Sequence, residues 1–283
     1  MEAILQYVSD NISTMKVVGK SSNEIRVFTF SGRKCIVKTP LMTGNDLSPF
    51  WEMMKNLFGF TFEKQILLLP SVYEALSQNP HIPYAPLLAA DETAMVYGFM
   101  EGKSWDEDEF PQGGNNAYRL GQFIGFNHRT AYDSCGLFTK ADISEFFGSA
   151  EASMARHIER YWKGDGEIER KVRSFYKILC SQPKPTCRNV LQMIDQSADQ
   201  YLYDHNGDLL ACVDMDAYVI APDAFELTFL KKQVSDWEAF RKGYEEYQPM
   251  PDFDPLSDYF TFLMNLNAPW DKEEMAFFLQ SKF

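Results

Sequence analysis

Residues 189–218, NVLQMIDQSADQYLYDHNGDLLACVDMDAY, decide the fold of this 283-residue chain. Residues 201–204 alternate in polarity as a strand does, and residues 209–213 form a short apolar run. Between them lies Asn206-Gly207, a dipeptide that is typical of a two-residue hairpin turn. The stretch therefore predicts a β-hairpin.

Two acids flank the predicted hairpin, Asp195 before it and Asp214 after it. Phosphoryl transfer needs such a pair, because one carboxylate accepts or orients a hydroxyl proton while the other holds Mg2+ against the phosphates of ATP. Gln200 follows Asp195 at the spacing where a kinase catalytic loop has a metal-binding Asn. We therefore predict that Asp195 is catalytic and that Asp214 and Gln200 bind metal, with Asp216 as a competitor. The alternative is an ordinary hairpin with surface carboxylates.

This stretch resembles the aminoglycoside phosphotransferase and choline kinase-like families, in which IDWE or IDFE often stands where this chain has VDMD at 213–216. The resemblance implies an α+β, two-lobe protein-kinase-like fold, with a small N-lobe of antiparallel sheet plus helix and a larger, mainly helical C-lobe. It also implies a small-molecule kinase that uses ATP and Mg2+ on an aminoglycoside-like, choline-like or sugar-like hydroxyl. Met193-Ile194 replaces the usual His-Gly, so we expect an apolar contact, such as Met193 packed under the loop, to hold Asp195.

A second group of candidate residues lies near the N-terminus. Residues 25–38 follow a strand, turn, strand pattern. They end in IVK, which resembles the strand-borne Lys that contacts the α- and β-phosphates in this superfamily. Lys38 is thus a candidate nucleotide ligand. The preceding small residues, Ser21, Ser22 and Asn23, would let backbone N–H groups approach phosphate oxygens.

Glu63 is the candidate partner of Lys38. It lies in a segment whose apolar residues recur every three or four positions, which predicts a helix. An ion pair between the two side chains would hold Lys38 over the phosphates, as the corresponding Lys and Glu do in kinases. The alternative is that Glu63 is an exposed helical acid.

Residues 95–105, MVYGFMEGKSW, resemble the hinge of the family. Adenine would hydrogen-bond to backbone groups near Gly98 and Met100. This interpretation divides the chain into a nucleotide-binding N-lobe, residues 1–101, and a C-lobe, residues 102–283, that carries the catalytic loop, the metal site and the substrate-binding helices.

Several C-terminal segments predict helices, notably residues 142–181 and 224–248. In the helix LGQFIGFNH, His128 matches a family position that we interpret as structural. Asp223 or Glu226 is expected to brace the site from the helix that follows the metal residues.

The Met- and aromatic-rich segment 40–60 has no counterpart in the resembled families. Residues Trp51, Met54, Leu57 and Phe58 share one helical face, so core packing is expected. A lid or a partner-docking surface is the alternative.

Composition restricts the possible partners and location. The net charge of −13 argues against nucleic acid and is compatible with a cationic substrate, although it can also serve solubility alone. No apolar run approaches the roughly 20 residues of a membrane span. The five cysteines lack metal-site spacing and no secretory signal is visible, which predicts a reducing, cytoplasmic location.

Two other functions remain open. A pseudokinase, or a nucleotide-binding module without turnover, is favoured by Met193-Ile194, by Gln200 and by the glycine-poor phosphate loop. A protein Ser/Thr kinase is disfavoured because the H-R-D, D-F-G and A-P-E motifs are absent from the sequence.

Overall fold

The computed structural model describes residues 2–42, 47–105, 109–112 and 115–283. The first helix, α1 (Glu2–Asn11), packs against a five-stranded antiparallel sheet in the order β1-β2-β3-β5-β4. The strands are β1 (Lys16–Lys20), β2 (Asn23–Phe30), β3 (Arg33–Pro40), β4 (Leu87–Ala90) and β5 (Met95–Gly98). The predicted strand, turn, strand pattern is confirmed by β2 and β3, which pair along their whole length.

Two helices connect β3 to β4. The first, α2 (Pro49–Phe58), begins where the Ser48 side chain accepts the backbone N–H of Trp51, and ends at Gly59 in the left-handed conformation that favours glycine. The second, α3 (Phe62–Leu76), is capped by Thr61 in the same way. Core packing of the predicted helical face is confirmed, because its four residues are all buried. Residues 43–46 of the segment lie outside the described ranges.

Helix α2 contacts the C-terminal half of the chain. The Phe58 ring stacks on Phe146 with centroids 5.9 Å apart. The Glu52 carboxylate bonds to the Arg160 guanidinium and the Tyr161 hydroxyl, each at 2.5 Å. The sheet-bearing half is therefore fixed to the helical half by apolar and charged contacts.

Helices dominate the rest of the chain, as predicted. They are α4 (Asn116–Asn127), α5 (Phe146–Tyr161), α6 (Glu167–Ser181), α7 (Asp223–Gln233), α8 (Trp237–Tyr244), α9 (Asp254–Asn265) and α10 (Lys272–Gln280). Helices α4 and α8 cross closely at two glycines: an added Cβ would lie 2.0 Å from the Phe240 carbonyl oxygen at Gly121 and 2.1 Å from that of Tyr118 at Gly243. Within the described ranges, no helix combines the length and apolar character that a bilayer crossing requires.

A second sheet is formed by strands that lie before and after the hairpin in sequence. The sequence patterns did not predict it. Its strands are β6 (Ala131–Tyr132), β7 (Gly136–Leu137), β8 (Asn189–Met193) and β11 (Tyr218–Pro222), in the order β6-β8-β11-β7. Strands β8 and β11 pair antiparallel and are almost wholly buried. They hold the two ends of residues 194–217 side by side.

The predicted hairpin is confirmed as β9 (Tyr201–Tyr203) and β10 (Leu209–Cys212). Its turn differs from the prediction. The backbone N–H of Asp204 donates to the Asp208 carbonyl, so three residues form the loop, and the last of them, Gly207, has a φ of 88°. The Asp204 carboxylate accepts the N–H groups of Asn206 and Asp208, which stabilises this longer loop over a two-residue turn.

Candidate functional site

A cavity of about 780 Å3 lies between the N-terminal sheet and the loop that precedes the hairpin. Its volume falls in the usual range for small-molecule sites. Most of the residues predicted for the site line it: Ser21, Ser22, Lys38, Gly98, Met100, Asp195, Gln200 and Asp214. In the part of the chain that the structure describes, the other three predicted residues, Asn23, Glu63 and Asp216, are not on its walls.

Lys38 reaches the cavity from β3, where its backbone pairs with Ile25 on one side and Met95 on the other. Its side chain is only 8% exposed. The Nζ atom lies 2.6 Å from Asp214 Oδ1 and 3.3 Å from Asp216 Oδ1. Two carboxylates therefore hold the buried ammonium group at one end of the cavity.

Glu63 lies in the first turn of α3, on a half-buried position. The salt bridges that the structure gives Lys38 are those with Asp214 and Asp216. Pairing of Lys38 with Glu63 stays a prediction.

The two aspartates of VDMD have different surroundings. Asp216 is 5% exposed, and its Oδ2 accepts a hydrogen bond from Asn23 Nδ2 at 2.8 Å. Asp214 is 33% exposed and lines the cavity. Asp214 is thus the carboxylate that an incoming cation can reach, whereas Asp216 fixes Lys38 from behind. The Asn23 side-chain amide is buried against Asp216. A role of its backbone in the phosphate loop stays a prediction.

Gln200 pairs with Val213, the residue before Asp214, at the open end of the hairpin. Its backbone carbonyl accepts the N–H of Val213 at 3.0 Å. Its side-chain Nε2 donates to Asp199 Oδ1 at 3.0 Å and to Ser197 Oγ at 3.3 Å. This orientation leaves the amide oxygen as the atom that can bind a cation. Asp199 and Ser197 also line the cavity, which the sequence analysis did not foresee.

The donors present fit Mg2+, which prefers oxygen ligands and usually keeps several waters and phosphate oxygens in its shell. Asp214 supplies a carboxylate and Gln200 an amide oxygen. Among the described residues, no group of three His, Cys, Asp or Glu side chains could hold a metal alone. An ion here would therefore depend on a phosphate-bearing ligand as well as on the protein.

Gln192, on the strand that leads to Asp195, braces the loop. Its Nε2 donates to the carbonyls of Ala221 and Pro222 at 2.7 and 3.0 Å, and its Oε1 accepts the Glu226 N–H at 2.9 Å. These bonds tie β8 to β11 and to the start of α7. Sequence reasoning missed this residue, although a glutamine inside an otherwise apolar run is a signal of a buried, fully bonded amide.

Glu226 extends this brace, as expected for Asp223 or Glu226. One carboxylate oxygen accepts the Met193 N–H at 3.4 Å, and the other lies 2.7 Å from His128 Nε2. His128 is fully buried and its Nδ1 lies 3.1 Å from the Tyr244 hydroxyl. The structural interpretation of His128 agrees with these contacts.

Met193 and Ile194, which replace His-Gly, are 1% and 2% exposed. Asp195 follows them in a turn and is partly exposed on the cavity wall. The approach to Asp195 is therefore held by apolar burial, as expected for Met193, together with the Gln192 and Glu226 hydrogen bonds.

Two backbone N–H groups of the hinge segment already donate hydrogen bonds within the protein. The Gly98 N–H donates to the Pro86 carbonyl at 2.8 Å, and the Phe99 N–H donates to the Lys34 carbonyl at 3.1 Å. An adenine ring would have to use other backbone groups of residues 98–100. The cavity wall here is completed by Tyr97 and, from α2, by Phe50 and Trp51.

The groups behind the Lys38 cluster stay uncharged. Burial, reinforced by the Asp214 carboxylate, raises the pKa of the Cys212 thiol well above its ordinary value. Burial also raises the pKa of the Tyr97 phenol, with Tyr73 and Asp214 as smaller causes. The Cys212 thiol and the Tyr97 phenol therefore add no negative charge to this end of the cavity.

No protein-family model and no curated protein sequence matches this chain. Solved structures do match it over nearly their full length. The structure of a gentamicin–APH(2'')-IIa complex has a TM-score of 0.61 and 13% identity, with 98% of this chain and 94% of that chain covered. Choline kinase LicA from Streptococcus pneumoniae has a TM-score of 0.59 and 13% identity, with 98% of each chain covered.

Macrolide 2'-phosphotransferase MphH from Brachybacterium faecium is also similar, with a TM-score of 0.55, 12% identity and coverage of 96% of this chain and 92% of that chain. The fold predicted from the resemblance is confirmed by these likenesses. The chain has the protein-kinase-like α+β fold that the aminoglycoside phosphotransferases, macrolide phosphotransferases and choline kinase share.

Proposed function

We propose that this chain transfers the γ-phosphoryl group of ATP, with Mg2+, to a hydroxyl of a small molecule. The observation that carries the proposal is the convergence of Lys38, Asp214, Gln200 and Asp195 on one cavity. The fold supports it, because proteins with this fold include phosphotransferases for aminoglycosides and macrolides and a choline kinase. Free thiols at all five cysteines fit a cytoplasmic setting.

Phosphoryl transfer is catalysed mainly by positioning and charge neutralisation. Mg2+-ATP would supply the transferred group and part of that neutralisation. Lys38 would donate to the phosphates from one end of the cavity, fixed there by Asp216. Asp214 and Gln200 would hold the metal with their oxygens. Asp195, on the facing loop, would accept or orient the proton of the attacking hydroxyl.

The alternative is a pseudokinase or nucleotide-binding module without turnover. The burial of Met193 and Ile194 at the base of the loop favours it, because the side chain that usually braces the catalytic Asp is replaced by an apolar one. The proposed brace through Gln192 and Glu226 argues for turnover, since it ties the same loop to two neighbouring elements.

ATP titration followed by a turnover assay separates the two functions. We expect Mg2+-dependent ATP binding and release of ADP in the presence of a hydroxyl compound. Mg2+-dependent binding without turnover on any hydroxyl compound would favour the module. Absence of ATP binding would contradict both.

A further inference from the structure

A second cavity, of about 230 Å3, lies against the same loop. Its walls are residues 194–197, Phe229 and Gln233 of α7, and Met264 of α9. Asp195 and Ser197 line both this cavity and the larger one. The carboxylate that the proposed function assigns to the attacking hydroxyl thus stands between the two cavities.

Displacement at phosphorus places the attacking and leaving oxygens roughly in line, so the acceptor lies on the opposite side of the transferred group from the nucleotide. The acceptor must also lie within hydrogen-bond reach of the catalytic carboxylate. With the nucleotide in the larger cavity, the smaller one meets the second condition because Asp195 lines it, and the first requires that the transferred group lie between the two cavities. We propose that it is the acceptor site, and that its acceptor is a small, uncharged hydroxyl compound with one apolar face; this inference rests on the proposed function.

Two glutamine amides provide the polar recognition. Gln196 is 7% exposed, and its Nε2 donates to the Tyr201 hydroxyl at 2.9 Å. Gln233 Nε2 donates to the Gln196 backbone carbonyl at 3.4 Å. The side-chain oxygens of both glutamines are buried, and neither has a donor among the described residues. Because a buried carbonyl without a donor is unfavourable, a ligand hydroxyl that reached either oxygen after a small rotation of the side chain would be stabilised there.

The remaining walls favour an uncharged ligand. Ile194, Phe229 and Met264 provide an apolar surface. Asp195 is the one carboxylate on the described walls of this cavity, and the reaction needs it for the hydroxyl proton. A polycationic acceptor would bury ammonium groups without a dedicated partner, which is costly. The chain as a whole is acidic, but the proposed acceptor site is not lined by several acids.

The volume restricts the acceptor further. Sites for drug-sized ligands usually occupy about 300–1,000 Å3. At about 230 Å3 and open to solvent, this cavity encloses about one ring of an acceptor, such as a monosaccharide or an aromatic alcohol.

The test compares neutral with cationic probes at millimolar concentration. The neutral probes are myo-inositol, methyl glucoside and benzyl alcohol; the cationic probes are choline and an aminoglycoside. ADP release is measured for the wild type, for Gln233→Leu and Gln233→Glu, and for the matched control Gln280→Leu, whose glutamine is exposed at the end of α10. ATP titration of each protein, and ligand-observed NMR of each probe without ATP, are measured separately.

We expect at least one neutral probe to raise ADP release above the basal rate in water. Gln233→Leu should raise the KM for that probe about tenfold, the effect of one lost hydrogen bond, with the KM for ATP unchanged. Gln233→Glu should bring cationic probes into the site, and Gln280→Leu should behave as the wild type.

Preference of the wild type for cationic probes, or no binding of any neutral probe by NMR, would overturn the acceptor class. Gln233 variants that match Gln280→Leu would overturn the site. In either case the wild type would bind ATP and turn over on some hydroxyl compound. Failure of the proposed function would instead be seen as no ATP binding, or as ATP binding without turnover on any neutral or cationic probe.

Discussion

The two walls of the larger cavity hold their functional groups by different means. On the sheet wall, Lys38 is fixed by the two carboxylates of Asp214 and Asp216. On the loop wall, the base of the loop is held by buried apolar side chains and by the Gln192 amide. One wall is fixed by opposite charges and the other by neutral hydrogen bonds and packing.

This difference predicts different sensitivities. A buried ion pair that loses one member leaves a charge without its partner, which costs far more than the pair contributes. A single neutral hydrogen bond contributes less to stability, so the loss of such bonds lowers stability in small steps. Substitutions on the sheet wall should therefore act on binding and stability together, while those at the base of the loop should act mainly on stability and on the placement of Asp195.

Asp195→Asn should have the largest effect, because it removes the proton acceptor and leaves both walls in place. We expect turnover to fall by about 10²–10⁴-fold, the usual range for general-base help. ATP affinity, measured by calorimetry, should stay unchanged. The control is Asp165→Asn, at an exposed position. Wild-type turnover in Asp195→Asn would remove the base role and favour the binding module.

Lys38→Met should come next, since it removes the cation from the buried Asp216 carboxylate and leaves it, among the described residues, with its Asn23 hydrogen bond. We expect turnover to fall by about 10²–10³-fold, as for the loss of one preorganised stabiliser. The free energy of unfolding should fall by about 3 kcal/mol. Turnover assays and chemical denaturation measure the two effects, with Lys16→Met on exposed β1 as the control. Equal stability of Lys38→Met and Lys16→Met would contradict the claim that opposite charges stabilise the sheet wall.

Asp214→Asn and Asp216→Asn should separate the roles of the two aspartates. The first should weaken Mg2+-dependent ATP binding by at least about tenfold, because metal affinity responds strongly to loss of a coordinating or supporting group. The second should lower the free energy of unfolding by about 1–3 kcal/mol through the buried Asn23 contact. Full Mg2+-ATP affinity in Asp214→Asn would transfer the metal role to Asp216.

Gln192→Leu tests the loop wall and should have the smallest effect on ATP binding and turnover. It removes three hydrogen bonds, so we expect the free energy of unfolding to fall by about 2–3 kcal/mol. Turnover should decrease modestly and ATP affinity should not change. Denaturation and kinetics of Gln192→Leu and of the exposed control Gln280→Leu measure this. A loss of turnover as large as that of Asp195→Asn would show that the loop depends on this one amide.

Local sequence patterns were enough to predict the hairpin, the position of Lys38 on its strand and the position of Asp214 at the hairpin exit. Each depends on alternation or on a motif within a few residues. The turn was wrong in length because the Asp204 side chain stabilises a longer loop, a choice that the Asn206-Gly207 signal does not reveal.

Contacts between distant parts of the chain were harder to predict. The Asp214 and Asp216 partners of Lys38 are 176 and 178 residues away in sequence, so strand and helix patterns could not reveal them. The same holds for Asn23 with Asp216. The bracing amide of Gln192 and the aromatic wall of Phe50 and Trp51 likewise depend on which elements pack together.

The proposed function requires that this cavity bind ATP through a metal held by Asp214. Calorimetric titration of the wild-type protein with ATP, first with Mg2+ and then with EDTA, tests it most directly. We expect saturable binding with Mg2+ that weakens by at least about tenfold when the metal is removed. Binding of equal affinity in EDTA, or no binding in either condition, would contradict it.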